Sequence, residues 1–358
     1  MYARAVLASL FAISAGVLGC PSQEALGTRA VTILGAGVVN NPSNKSLRFD
    51  ILKFGLERFC FEMLRRGAPL KMNDDQPVIG RFFAESCQSQ VIDDEHRKSF
   101  VVQYAGKGYA WVAALGQGGR VGFTSAGLVE YAPDFQLHEG EMYVYFRPRR
   151  IDATSFQTLM IDSAFLRLGA AVINADETGR RIVTSQLQRG FTVIRYGSEG
   201  ETDFGMGYVQ KGRRPFKPFQ VSFADKLQLA NDRTEVHAGQ QDMIGGFEVT
   251  DDDQAIYLTM SLDGSPAVDV FLVQKGVGDM MIDRFVRTSG PAPLPAPPLL
   301  DDPLLQGQLY KRFVRVPKGL YYLVIDHSSE VGRTAPPVRA GDDRAAKVDY
   351  LIQVGDAP

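Results

Sequence analysis

Glu141–Arg147 reads EMYVYFR. Successive side chains of an extended chain alternate sides, so Met142, Val144 and Phe146 share one face and Tyr143 and Tyr145 the other. The same signature recurs upstream at Val78–Ser86, Ser99–Ala105, Tyr109–Ala114, Arg120–Phe123 and Leu128–Tyr131. Gly, Asp and Pro turns separate these runs. Short, alternating, aromatic strands predict an antiparallel sheet or partial barrel. Downstream, Phe191–Tyr196 (FTVIRY) reads as a further strand with Asp203–Gln210 as its neighbour, and Pro215–Phe219 ends the unit. Phe156–Ile173 fits a helix or a buried strand equally well. Asn174–Gly179 (NADETG) reads as a turn.

One long helix is expected beside this sheet, over Leu47–Arg66. Leu52, Leu56, Phe59, Cys60 and Met63 recur at spacings of three and four and build an apolar stripe. Ile51, Phe54 and Phe61 widen the stripe, so the helix is expected to be buried against the sheet. Arg65 and Arg66 suit its C-terminal dipole, and Gly67 is expected in the left-handed position that ends it.

From about Phe223 the character changes to fewer Phe, more Asp and regular strands. Ala255–Met260, Ala267–Gln274, Leu309–Val316, Gly319–Asp326 and Lys347–Val354 alternate well and predict a β-sandwich. Gly319–Asp326 (GLYYLVID) resembles late strands of jelly-roll and sandwich modules appended to exported bacterial proteins. The Pro-rich segment 289–303 is read as a long surface loop, since the three strands that follow make too small a sheet to stand alone. The expected class is therefore α+β, mainly β: a sheet or partial barrel with one long helix over residues 31–222, then a jelly-roll-like sandwich over 223–358.

The first residues carry an address. Arg4 precedes an apolar run, Ala5–Val17, that is too short to span a bilayer at 1.5 Å per residue. A charged start, a short apolar middle and a small residue before the cut mark a secretory signal peptide. Val17-Leu18-Gly19-Cys20 then resembles the lipobox of bacterial lipoproteins. The resemblance implies a signal peptide over 1–19, lipid on the Cys20 sulfur, acylation of the new amino group and a tether over 20–30. Several acyl chains on one residue make a stable anchor. The residue after Cys20 is Pro21 and not the Asp associated with inner-membrane retention. The expected location is the periplasmic face of the outer membrane, with the inner membrane or secretion as alternatives.

Composition agrees with a globular chain, at 45% hydrophobic and 22% charged residues. The formal charge of -2, or -3 without Arg4, gives no electrostatic reason to expect nucleic acid. With Cys20 committed to lipid, Cys60 and Cys87 remain as an even pair in an oxidising compartment, which points to a disulfide; two buried thiols are the alternative.

No catalytic, metal or cofactor constellation emerges. Gly35-Ala36-Gly37 suggests a dinucleotide loop, but Asn40 stands where the third glycine belongs and Pro42 breaks the helix. Asp93-Asp94-Glu95-His96 points its neighbours apart, while His138, His237 and His327 are isolated. Asp326-His327-Ser328-Ser329 holds the residue types of a nucleophilic triad, yet consecutive residues fit a turn better than a triad. Asp251-Asp252-Asp253 lacks the spaced oxygens of a calcium loop. Arg147–Arg150 and Lys211–Lys217 are basic loops able to grip phosphate. Phe82, Phe83, Tyr104, Tyr109, Trp111, Phe123, Phe135, Tyr143, Tyr145 and Phe146 either fill a core or line an apolar pocket. The leading expectation is a non-enzymatic binding or scaffold role at the envelope, with the membrane, and an envelope protein or polysaccharide, as partners. A carrier of an apolar ligand or lipid and a hydrolase with a dispersed site are the alternatives.

Overall fold

The computed structural model describes residues 40–56, 59–114, 117–162, 175–196, 201–221, 226–337 and 345–358. Two β units follow one another. The first is a seven-stranded antiparallel sheet with its strands in chain order: β1 (Ala68–Leu70), β2 (Gly80–Asp93), β3 (Lys98–Ala114), β4 (Gln117–His138), β5 (Glu141–Ile161), β6 (Phe191–Tyr196) and β7 (Glu201–Met206). It is a meander of unusually long strands. The two short strands expected within 99–114 are one, and so are the two within 120–131. Gly106 and Gly108, which suggested a turn, sit inside β3 because its neighbour runs too close for a side chain. A Cβ on Gly106 would lie 2.2 Å from the Phe83 carbonyl oxygen, and one on Gly108 2.5 Å from that of Arg81. Bulges at Ala84/Ser86, Gly122/Phe123, Ala126/Leu128 and Glu130/Tyr131 curl the sheet into a half-barrel.

The alternation in EMYVYFR is realised. Val144 and Phe146 enter one core with Phe82, Phe100, Tyr131 and Phe135, while Tyr143 and Tyr145 join Ile194 and Tyr196 on the other face. Helical segments α1 (Lys45–Leu56) and α2 (Phe59–Arg65) cover the first face, with Leu52, Leu56, Phe59 and Met63 turned into it. Residues 57–58 between them lie outside the described residues. Gly67 is not left-handed; its N–H donates to Gly245, and a Cβ there would strike the Phe83 ring at 2.4 Å. The expected turn over 174–179 is also overturned. From Ala175 the chain is helical, as α3 (Ala175–Arg189), with Asp176 and Glu177 in the first turn where acidic groups suit the dipole. The stretch 156–173 is strand up to Ile161; residues 163–174 lie outside the described residues.

The second unit has eight strands: β8 (Leu227–Val236), β9 (Gln240–Val249), β10 (Gln254–Asp263), β11 (Ala267–Gln274), β12 (Leu300–Leu305), β13 (Tyr310–Arg315), β14 (Gly319–His327) and β15 (Ala346–Asp356). They form two sheets, β13-β10-β15-β8 and β12-β11-β14-β9. Consecutive strands through β11 alternate between the sheets, as do the last four from β12, which is the jelly-roll arrangement. Ile256, Leu258 and Met260 of one sheet meet Val270, Leu272, Leu323 and Ile325 of the other in a shared core. The Pro-rich segment is only partly a loop. Its C-terminal end pairs as β12, and its Ala292 is fully buried, held on both sides by Gln241 (2.8 and 3.1 Å).

A helix not foreseen, α4 (Lys275–Arg287), lies over the outer face of β11 and β14. Its Met281, Ile282, Phe285 and Val286 are buried among Phe271, Val273, Tyr322 and Val324 of the jelly roll and Phe83 and Tyr109 of the meander. The join between the units is thus itself a core. Gly122 of β4 presses on the α4 backbone, where a Cβ would lie 1.9 Å from the Val286 oxygen. At its centre Arg81 of β2 grips Asp242 of β9 with both arms of its fork, at 2.7 and 2.8 Å. Tyr109 donates to Asp242 at 2.8 Å and accepts from the Met243 N–H. Val78 adds backbone bonds to Arg233 and Glu235.

Cutting one side of the Arg81–Asp242 pair leaves a buried charge alone. Asp242→Ala is expected to cost about 3–5 kcal/mol in chemical denaturation, while the Arg81→Met/Asp242→Leu double variant stays closer to the parent. Cys60 and Cys87 are bonded, with Cα atoms 5.3 Å apart, tying α2 to β2. The Cys60→Ala/Cys87→Ala variant is expected to lose about 3 kcal/mol of unfolding free energy, measured the same way.

Candidate functional site

Each chemically suggestive residue has a definite neighbourhood. Cys20 lies outside the described residues, as does Gly35-Ala36-Gly37. Asp94 accepts the His96 and Arg97 N–H groups and shapes the β2–β3 hairpin. Asp93 ties Lys53 and Lys98 together, and this holds its carboxyl below the usual range. Asp252 accepts the Lys318 N–H at 3.0 Å in the turn before β10. Among the described residues, no group of three or more His, Cys, Asp and Glu is placed to hold a metal ion. In the basic tracts, Arg214 pairs with Asp203 (2.7 Å) and Glu141, and Lys217 with Asp203 (2.5 Å). Lys211 and Arg213 stay exposed.

Asp326-His327-Ser328 is not the turn expected. Asp326 and His327 complete β14, and all three residues are buried. Because neighbours in a strand face opposite ways, Asp326 turns toward the α4 side and His327 into the end of the sandwich core. The His327 Nδ1 faces the Val236 carbonyl at 3.0 Å; a carbonyl only accepts, so Nδ1 carries the proton and Nε2 accepts from Ser265 at 3.0 Å. Burial pushes the His327 imidazole down and keeps it neutral. This is a Ser–His pair brought together from the β10–β11 turn and β14, but its third member is a carbonyl and not a carboxylate. Ser265 and His327 are 2% and 1% exposed, so a substrate has no access to them.

Asp326 belongs to a separate network. It accepts from Gln241 (2.7 Å) and from the Ser328 hydroxyl (2.9 Å), and stands opposite Asp269 on β11. Asp269 is fully buried and accepts from Thr334 and from the Arg333 N–H. Burial, helped by Asp269, pushes the Asp326 carboxyl up to about 6. The network fastens the segment after β14 and, through Gln241 and Ala292, the segment after α4.

A cleft opens at the seam between the units, lined by Tyr109, Trp111, Arg120, His237, Gln240 and Asp242 among others. Its free volume of about 20 Å³ holds a water molecule and no organic substrate. Trp111 and His237 stack face to face at 3.8 Å, and a Cβ on Gly118 would fall 2.4 Å from the indole. The indole is therefore a clamp between the units and not an open platform. Arg120 lies over Phe285 at 3.5 Å and donates to Asp162, Thr288 and Gly290. Burial pulls its guanidinium down to about 10. Nothing in the strand run around Arg120 announced this buried cation; the adjacent glycines, Gly118, Gly119 and Gly122, were the available signal. The other aromatics pack on one another: Phe59–Phe100 at 5.2 Å, Phe123–Phe156 at 4.8 Å and Phe146–Phe191 at 4.3 Å.

The two ends of the meander differ. Asn40, the first described residue, is fixed by bonds in both directions to Leu137 at the far end of β4 (2.9 and 2.8 Å). Arg120 and Gly122 near the other end of β4 touch α4 and the segment after it. The strand path between them is up to about 50 Å at 3.3 Å per residue. α1 and α2 lead from the Asn40 end to the jelly roll, where Arg65 pairs with Glu248 (2.7 Å).

The raised Asp326 carboxyl binds its proton better in the fold than in the unfolded chain. Its contribution is therefore complete below about pH 4 and lost as pH rises through 6. Asp326→Asn cannot ionise, so its stability relative to the parent is expected to grow by up to about 3 kcal/mol between pH 4 and 7. Urea unfolding at four pH values measures this, and parallel curves would refute it. No protein-family model matches this chain, and no curated protein matches it.

Proposed function

We propose that this chain is a lipid-anchored, exported binding or scaffold protein of the bacterial envelope, with the jelly roll as its presented module. The observation that carries this reading is the position of Asn40. Asn40, the first described residue, is bonded to Leu137, at the end of β4 opposite the one that meets α4. Lipid on Cys20 would thus tether the chain through the Asn40 end of the meander, which the long strands and the Cys60–Cys87 bond brace. Pro21 in place of Asp favours the periplasmic face of the outer membrane. Among the described residues no helix is long and apolar enough to cross a membrane. Attachment then falls to the acyl chains. The role is read as non-enzymatic because the Ser–His pair is sealed and the seam cleft is water-sized. The aromatics packed ring against ring give the carrier alternative no support.

Mass spectrometry of the N-terminal peptide from cells tests the anchor. The expected result is a chain beginning at Cys20 with diacylglyceryl and acyl groups attached, and Cys20→Ser moving to the soluble fraction. A mature chain that keeps Met1, or a Cys20→Ser variant still fixed to membranes, would overturn it.

A further inference from the structure

The outer face of the β13-β10-β15-β8 sheet is covered over β8 by the Phe216–Phe219 segment and is more open over β10 and β13. In β10, β13 and β15 the residues Ile256, Leu258, Val314 and Ile352 point into the sandwich, so Tyr257, Thr259, Lys311, Phe313, Arg315 and Gln353 point away from it. Phe313, Tyr257 and Gln353 stand in one row across three hydrogen-bonded strands. The row pitch is about 4.8 Å. Phe313 is 48% exposed, and its ring centroid is 6.0 Å from that of Tyr257. Lys226 lies over the Tyr257 ring at 3.8 Å, and Lys311 and Arg315 flank Phe313 on its own strand. Lysine and arginine on an edge strand also deter strand pairing, but a half-exposed phenylalanine between them does the opposite. Phe313 and Tyr257 together form a small apolar strip between these cations.

We propose that this face binds an acidic polysaccharide. It rests on the reading of the jelly roll as the presented module. The C–H face of a sugar ring is apolar and its rim carries hydroxyls. A shallow row of two rings tilted by 37° and continued by an amide, with Thr259 beside it, matches that division without a deep pocket, Phe313 offering the open ring. The cations Lys226 and Lys311, with Arg315, which also donates to the Pro358 carbonyl, match carboxylates repeated along a polymer and make the attraction salt-dependent. An anionic bilayer is the competing source of repeated negative charge, and vesicle flotation separates the two.

The test is affinity electrophoresis of the purified full-length chain through gels containing polygalacturonate, dextran or poly-L-glutamate, with flotation on phosphatidylglycerol vesicles alongside. Retardation by polygalacturonate alone is expected, weakened by salt. Phe313→Ala and Lys311→Glu should each lower that affinity about tenfold while their melting temperatures stay at the parent value. No retardation, equal retardation by poly-L-glutamate, flotation with vesicles, or an unchanged Phe313→Ala would each overturn the proposal. The N-terminal mass reads acylation separately, so either conclusion can fail without the other.

Discussion

Arg81 and Asp242 meet where two β units of different construction have to agree. A guanidinium and a carboxylate, each nearly excluded from water, are costly apart and tolerable only in a matched geometry. Tyr109 and Tyr350 complete the match, the first by donating to Asp242 and the second by accepting from Arg81 at 3.2 Å. Directional bonds at the centre of an otherwise greasy seam select one docking of meander on jelly roll from many of similar apolar area. Met281, Phe285, Phe83 and Tyr322 supply the area around it. The polar centre supplies the register.

That register fixes what the molecule can present. The meander pairs each strand with its neighbour in sequence, through tight hairpins at β2–β3, β3–β4 and β4–β5 and across α3 between β5 and β6. Docked through α4 and β9, it keeps Asn40 and the β4–β5 hairpin outside the seam, where the Gly212–Arg214 segment holds the hairpin. Arg81, Asp242, Ser265, His327 and Asp326 are sealed into the seam or the sandwich end, where they fasten segments.

Much of this was legible in the residues. The period of two in EMYVYFR and the spacing of Leu52, Leu56, Phe59 and Met63 placed those side chains on their correct faces, whereas Phe61, expected to widen the stripe, is 56% exposed. Legibility failed where burial is two-sided. β9 (QQDMIGGFEV) is covered by the jelly-roll core on one face and by α4 and the meander on the other, so eight of its first eight positions are buried and no alternation survives. α4 begins with Lys275-Gly276-Val277-Gly278, a poor helix start by propensity. Gly278 is small because the Tyr322 ring lies beneath it, at 2.4 Å from where a Cβ would be. Glycines in β3 misled for the same reason: they mark close approach and not a change of direction. For the candidate face, Phe313 and Tyr257 were visible as strand residues. Their pairing across β10 and β13 depends on a register between strands some fifty residues apart, which no local pattern contains.

The order of strands in the jelly roll has a consequence for how the protein is made. β15 comes last in the chain yet occupies an interior place, bonded to β10 on one side and β8 on the other. Until those residues arrive, β8 has no partner within its own sheet, while the meander can already close hairpin by hairpin. Local contacts form quickly and distant ones slowly. A chain made from its N-terminus would therefore spend an interval as a finished meander carrying an unfinished jelly roll, whose unpaired edges need shielding from other chains until β15 has paired.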